Sequence, residues 1–72
     1  MDLVYKKDTL YVYLDEELDE DVVNSLEHRV DSIMGLYDID NLVIDSKDRN
    51  IDMFSNFEKR YNKKHKSKMI IK

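Results

Sequence analysis

Residues 10–46 run LYVYLDEELDEDVVNSLEHRVDSIMGLYDIDNLVIDS, and the fold is decided by how this stretch is read. Leu10, Val12 and Leu14 fall on one side and Tyr11 and Tyr13 on the other, the two-residue period of a half-buried strand. The acidic run Asp15–Asp21 then supplies a loop and a helix start. Asp19 is placed as the N-cap, with Leu18 and Val23 as a hydrophobic staple, and Glu20 and Asp21 complement the positive end of the helix dipole. Val22, Val23, Leu26, Val30, Ile33 and Met34 recur at three- and four-residue steps and make one apolar stripe. Gly35 sits where a left-handed C′ residue is wanted, so the helix is predicted to end near Met34. The run Leu42-Val43-Ile44 does not alternate, which predicts a central strand covered on both faces. Strand, helix and strand in that succession imply a right-handed parallel crossover.

Outward from this stretch, Leu3-Val4-Tyr5 is a second β-prone run, and Lys6-Lys7-Asp8-Thr9 between the two predicts a hairpin. The tyrosines of the Leu10–Leu14 strand either form an exposed stripe, cover a second helix-packed face, or pair across strands with a neighbour such as Tyr5. A second helix is expected from Asp52, with Met53, Phe54, Phe57 and Tyr61 on one side, and Met69-Ile70-Ile71 closes the chain as a strand. The expected fold is α/β, in the order β-β-α-β-α-β, a mixed sheet with helices packed on it. Residues 1–72 form a single domain in this reading.

Composition narrows the function classes. A chain of 72 residues is near the lower size for a self-supporting core, and with no cysteine it has neither a disulfide nor a thiolate metal site as a staple. The start Met1-Asp2-Leu3 has no basic and apolar leader, and no apolar run approaches the roughly 18 residues of a membrane span, so a soluble cytoplasmic protein is expected. Charge is uneven. Residues 1–58 hold all sixteen acids and five bases, whereas residues 59–72 hold seven bases and no acid. Such a distribution suits head-to-tail association or an oppositely charged partner, but two solvated helix faces are the preferred reading.

The chemical candidates are sparse. The Asp15–Asp21 loop lacks the glycine and distal Glu of a calcium loop, so no metal is expected there. His28 and His65 stand far apart, outside any metal-ligand or Ser/His/Asp spacing; His28 is expected to be solvated and His65 to add positive charge. Asp45 follows Ile44 at the carboxyl end of a parallel strand, where ligands gather and an Asp can hold Mg²⁺ or accept a phosphoryl group. A turn or cap residue is the preferred reading, because no Gly-rich phosphate loop accompanies it. Lys59–Lys68 has only Tyr61 interleaved on an acidic protein, so nucleic-acid binding is not expected, and helix-end cations explain the run. No cofactor and no enzymatic activity are expected.

The stretch from Leu10 to Ser46 resembles the first half of a STAS domain, the fold of bacterial anti-sigma factor antagonists. Glu17-Leu18-Asp19 is similar to the family's turn, Val22 to Met34 to its helix, and Asp38 to Asp45 to the approach and body of its next strand. Arg60-Tyr61 with the lysines after it, and Met69-Ile70-Ile71, resemble the second helix and fourth strand. The resemblance implies a protein-binding regulator whose partner is an anti-sigma factor or a related kinase-fold protein. Its contact surface would be Asp48, Arg49, Asn50, Asp52, Met53, Phe54 and Ser55, flanked by Glu17 and Asp19. Met53 and Phe54 would act as apolar anchors or else fill the core. Phosphorylation-controlled members carry Asp-Ser-Ser/Thr-Gly where this chain has Asp52-Met53-Phe54-Ser55, which implies that the phosphorylation switch is lost. Members also continue past the fourth strand, so one flank of the sheet is expected to lack its usual cover and to favour a partner or a homodimer. The alternative is a self-associating structural or inhibitory mini-protein of the kind mobile elements encode.

Overall fold

The β-prone runs at the start of the chain pair through a two-residue turn, shorter than the four-residue connection the sequence suggests. Lys6 faces Thr9 across the ladder, and Lys7 adopts φ 58°, the left-handed region that glycine occupies more readily. In the computed structural model, which describes residues 1–72, the elements are β1 (Asp2–Lys6), β2 (Thr9–Leu14), α1 (Glu20–Met34), β3 (Asn41–Ser46), a 3₁₀ turn (Ile51–Phe54), α2 (Ser55–Lys64) and β4 (Lys68–Ile71). The sheet order is β1-β2-β3-β4. β1 runs antiparallel to β2, while β2–β3 and β3–β4 are parallel. This is a small α/β protein with a four-stranded mixed sheet and two helices, in the element order the sequence predicts. No helix is long and apolar enough to cross a membrane.

Local chemistry accounts for α1 at its start. The Asp19 carboxylate accepts from the Val22 N–H at 2.8 Å, and the staple residues Leu18 and Val23 are both buried. At its end α1 stops at Met34 as expected, but not through a left-handed glycine. Gly35 has φ −76°, in the right-handed region, and donates to the Asp31 carbonyl at 3.2 Å. The helix simply tightens, with Leu36 and Tyr37 N–H both donating to the Ile33 carbonyl, so no left-handed residue is needed.

The two helices share one face of the sheet. Leu10, Val12, Leu14, Leu42 and Ile44 form a single core with Val23, Leu26 and Val30 of α1, with Phe57 and Tyr61 of α2, and with Phe54 just ahead of α2. Two successive crossovers of the same hand, stepping the same way from β2 to β4, put both helices on one side. Glu27 bonds to Arg60 and Asp31 to Lys64, each pair 33 residues apart, so the helices lie parallel with ion pairs between them. Arg60 and Lys64, expected only as helix-end cations, are therefore partnered, whereas Lys59 and Lys63 make no ion pair. His65 is likewise tied down: its Nε2 lies 3.1 Å from Asp31 Oδ1 and its ring 4.9 Å from that of Tyr61.

The opposite face of the sheet carries no helix. Val43 is only 8% exposed, as expected of a central strand covered on both faces, yet it stands outside the core cluster. Its cover comes from the sheet itself, where the register sets Tyr11 and Ile70 on either side of it.

Candidate functional site

At the carboxyl ends of the parallel strands, two loops meet and the chain turns into both helices. The link between the loops is Asp48. Its Oδ2 accepts from the Leu18 N–H at 2.8 Å, and its Oδ1 accepts from the Asn50 N–H at 3.0 Å. These bonds, the one from Leu18 first, hold the Asp48 carboxyl below the usual carboxylate range. Ser46, fully buried at the end of β3, donates through Oγ to the Asp48 carbonyl at 2.9 Å, and Arg49 Nη1 reaches back to the Ser46 carbonyl at 3.3 Å. The β3–α2 loop is thus bound to itself and to the β2–α1 turn, which brings Glu17 and Asp19 alongside it. Asp48 was expected at a contact surface; its oxygens are spent inside the molecule.

The second helix does not begin at Asp52. Neither Asn50 nor Phe54 offers a side-chain cap to the segment it precedes, and a 3₁₀ turn over Ile51–Phe54 carries the chain into α2. This tighter turn sends Phe54 wholly into the core, at 0% exposure. Phe54 is therefore withdrawn from any surface and fills the interior with Phe57 and Tyr61. Met53 is half-buried against the core, while Asp52 and Ser55 are exposed. The residue that the sequence reading missed is Ile51, which is 46% exposed. Its signal was a lone isoleucine between two charged or polar residues, with no apolar periodicity to claim it.

Two depressions flank this turn. One, of about 370 Å³, is lined by Ile51, Asp52, Phe54, Ser55, Glu58 and Ile71. A smaller one, of about 140 Å³, lies between the helices where Met53, Asn56 and Phe57 meet Glu20, Val23 and Asn24. Neither gathers three His, Cys, Asp or Glu side chains in a metal-binding arrangement. Asp45, the carboxylate considered as a phosphoacceptor, lies within β3 and is exposed, opposite Tyr13 on the helix-free face. It is thus on the other side of the sheet from Asp52 and Ser55. The expected contact residues Glu17, Asp19, Arg49, Asn50, Asp52 and Ser55 are all exposed, as is Ile51, which shares a depression with Asp52 and Ser55. No family model matches the chain, and neither a curated protein nor a solved structure matches it.

Proposed function

We propose that the chain is a non-enzymatic interaction module, a STAS-like domain that binds a protein partner through the carboxyl ends of its parallel strands. The observation that carries this reading is Ile51, a large aliphatic side chain presented at 46% exposure on a turn that Asp48 and the core hold in place. An exposed apolar anchor on a rigid support, ringed by charges, is the arrangement from which interface energy is drawn. The carboxylates of Asp52 and Glu58, which line the same depression as Ile51, ask for a partner with a basic rim. An anti-sigma factor or related kinase-fold regulator is the partner class that the resemblance implies, and it would place the protein in the cytoplasm. Phosphorylation would not control the contact, because Met53 and Phe54 replace hydroxyl residues and Ser55 has lost its Asp and Gly neighbours.

Titration calorimetry against a kinase-fold anti-sigma factor tests this. Ile51→Asp should weaken binding at least tenfold with the fold unchanged, as burying an unpaired charge at the anchor demands. Binding that ignores Ile51→Asp would overturn the site. Incubation with the same protein and ATP should leave the intact mass unchanged, and stoichiometric phosphate on Ser55 would restore the switch.

A further inference from the structure

The sheet has two open edges, β1 and β4. Along β1 the two-residue turn makes Lys6 and Thr9 a hydrogen-bonded pair, and alternation leaves Leu3 and Tyr5 at the non-hydrogen-bonded positions opposite Val12 and Leu10. The N–H and C=O groups of Leu3 and Tyr5 therefore point away from the sheet, while their side chains lie on the helix face. That face is thinly covered here. A depression of about 460 Å³ opens between β1 and α1, lined by Leu3 and Ile33 with His28, Arg29 and Ser32. Toward the hairpin, Tyr5 stacks on Tyr37 with ring centroids 5.0 Å apart, and Leu36 follows at 76% exposure. Val4, Tyr5, Leu36 and Tyr37 are four of the seven exposed large apolar side chains, so bare apolar surface concentrates along this one edge. Asp2 and Lys6 close the strand with opposite charges, and neither forms an ion pair.

We propose that β1 is the docking edge for an extended segment of a partner protein, which adds to the sheet as an antiparallel strand. Regularly spaced outward N–H and C=O groups are what a second extended backbone pairs, and alternate side chains then supply the selectivity. The register sets the chemistry of that segment. Its residues opposite Leu3 and Tyr5 share the helix face, where apolar side chains fill the depression and cover the Tyr5–Tyr37 stack. Its residue opposite Val4 is apolar too, on the helix-free face. An acid opposite Lys6 and a base opposite Asp2 complete the match. From its amino end the segment thus reads acid, three apolar residues, base. The β4 edge differs, being bracketed by Lys68 and Lys72, like charges of the kind that guard an edge against pairing. Ile51 lies against Ile71 of β4, at the far edge of the sheet, so this site is separate from the one proposed above.

Titration of the full chain with the acetylated and amidated peptide Thr-Glu-Phe-Val-Leu-Lys-Thr, followed through the amide resonances, tests the proposal. Saturable binding should slow amide exchange at Leu3 and Tyr5. It should leave Met69 and Ile71 unchanged, whose N–H groups point outward from β4 because those of Lys68 and Lys72 bond to β3. In an antiparallel ladder the peptide's Phe and Leu exchange both hydrogen bonds with Tyr5 and Leu3. N-methylation of that Phe or Leu should therefore weaken binding at least about tenfold, whereas N-methylation of the Val, whose N–H points away, should change it by less than about twofold. Exchanging the peptide's Glu and Lys sets like charges on Lys6 and Asp2 and should weaken binding several-fold. Ile51→Asp should leave the affinity unchanged. No saturable binding, indifference to N-methylation at Phe and Leu, or protection at Met69 and Ile71 in place of Leu3 and Tyr5 would each overturn the proposal.

Discussion

Arg60 grips Glu27 with two parallel hydrogen bonds, Nε to Oε2 at 2.8 Å and Nη2 to Oε1 at 2.9 Å, across the seam between the helices. The Arg60 bond, against some opposing burial, holds the Glu27 carboxyl below its ordinary 4.5. A carboxyl depressed in the folded state contributes stability that is complete above its unfolded value and is lost as pH falls through the folded value. Thermal stability should therefore decline on acidification below about pH 4.5, and Glu27→Gln should flatten that decline while costing roughly 0.5–1 kcal/mol at neutral pH, discounted for the half-exposed guanidinium. Asp31 is expected to add to the same slope: burial raises its carboxyl, but bonds from His65 and Lys64 leave it lowered. Melting curves between pH 3 and 7 check this, and an unchanged slope in Glu27→Gln would remove the pair from the account.

Asp48 joins two loops through backbone N–H groups, so its loss should be felt at Leu18, thirty residues away in sequence. In Asp48→Ala the Leu18 and Asn50 amides should exchange with solvent markedly faster, while amides in the middle of β2 and β3 keep their protection. Partner affinity at the Ile51 rim should fall with it, since an anchor on a loosened turn must be reordered on binding. Unaltered exchange at Leu18 would show that the turn is held by its own helix cap alone.

Tyr61 is a fully buried phenol whose hydroxyl has no hydrogen-bond partner; burial pushes its pKa up, opposed by the nearby Ser67 hydroxyl. The Ser67 hydroxyl gives its proton to the Ile39 carbonyl. Removing an unpaired buried hydroxyl costs nothing and can stabilise, so Tyr61→Phe should leave unfolding free energy unchanged or raise it by up to about 1 kcal/mol. Tyr61→Ala should cost about 3–5 kcal/mol through the cavity it leaves. Urea denaturation measures both, and a loss above about 1.5 kcal/mol in Tyr61→Phe would mean that the hydroxyl has a partner worth that much.

Gly35 occupies a right-handed conformation, and a Cβ there would meet the Asp31 and Ser32 carbonyl oxygens at 3.6 Å, an ordinary contact. Gly35→Ala should therefore stabilise the protein by about 0.5–1 kcal/mol by narrowing the unfolded ensemble. The sequence reading, which put this glycine in the left-handed region, predicts a loss of similar size. Chemical denaturation of this one variant decides between them.

The parts of the fold that were legible are those whose causes are local. Asp19, Leu18 and Val23 announce the start of α1 because a cap and a staple involve residues at most five apart. The strand Leu10–Leu14 shows its period for the same reason. What was hidden depends on neighbours distant in sequence. The run Leu42-Val43-Ile44 looks the same whether a helix or two flanking side chains cover Val43, and here Tyr11 and Ile70 do so from other strands. Phe54 and Ile51 belong to one turn, yet only the 3₁₀ geometry decides which is buried and which is presented. Of the nine expected contact residues, six are exposed, Asp48 and Met53 are half-buried, and Phe54 lies in the core.

The Asp8 carbonyl, which accepts from the N–H groups of both Asp40 and Asn41, ties the hairpin turn to the mouth of β3. The hairpin closes over three positions, Lys6 to Thr9, whereas the parallel pairs Leu10–Leu42 and Leu42–Met69 close over 32 and 27. Loop-closure entropy therefore favours the hairpin first and the crossovers later. φ-values at Leu10 and Leu26 should exceed that at Met69 if this order holds. The piece that assembles most readily already carries the dock on which the next strand is registered, so the molecule is built from its amino end, one strand serving as the template for the next.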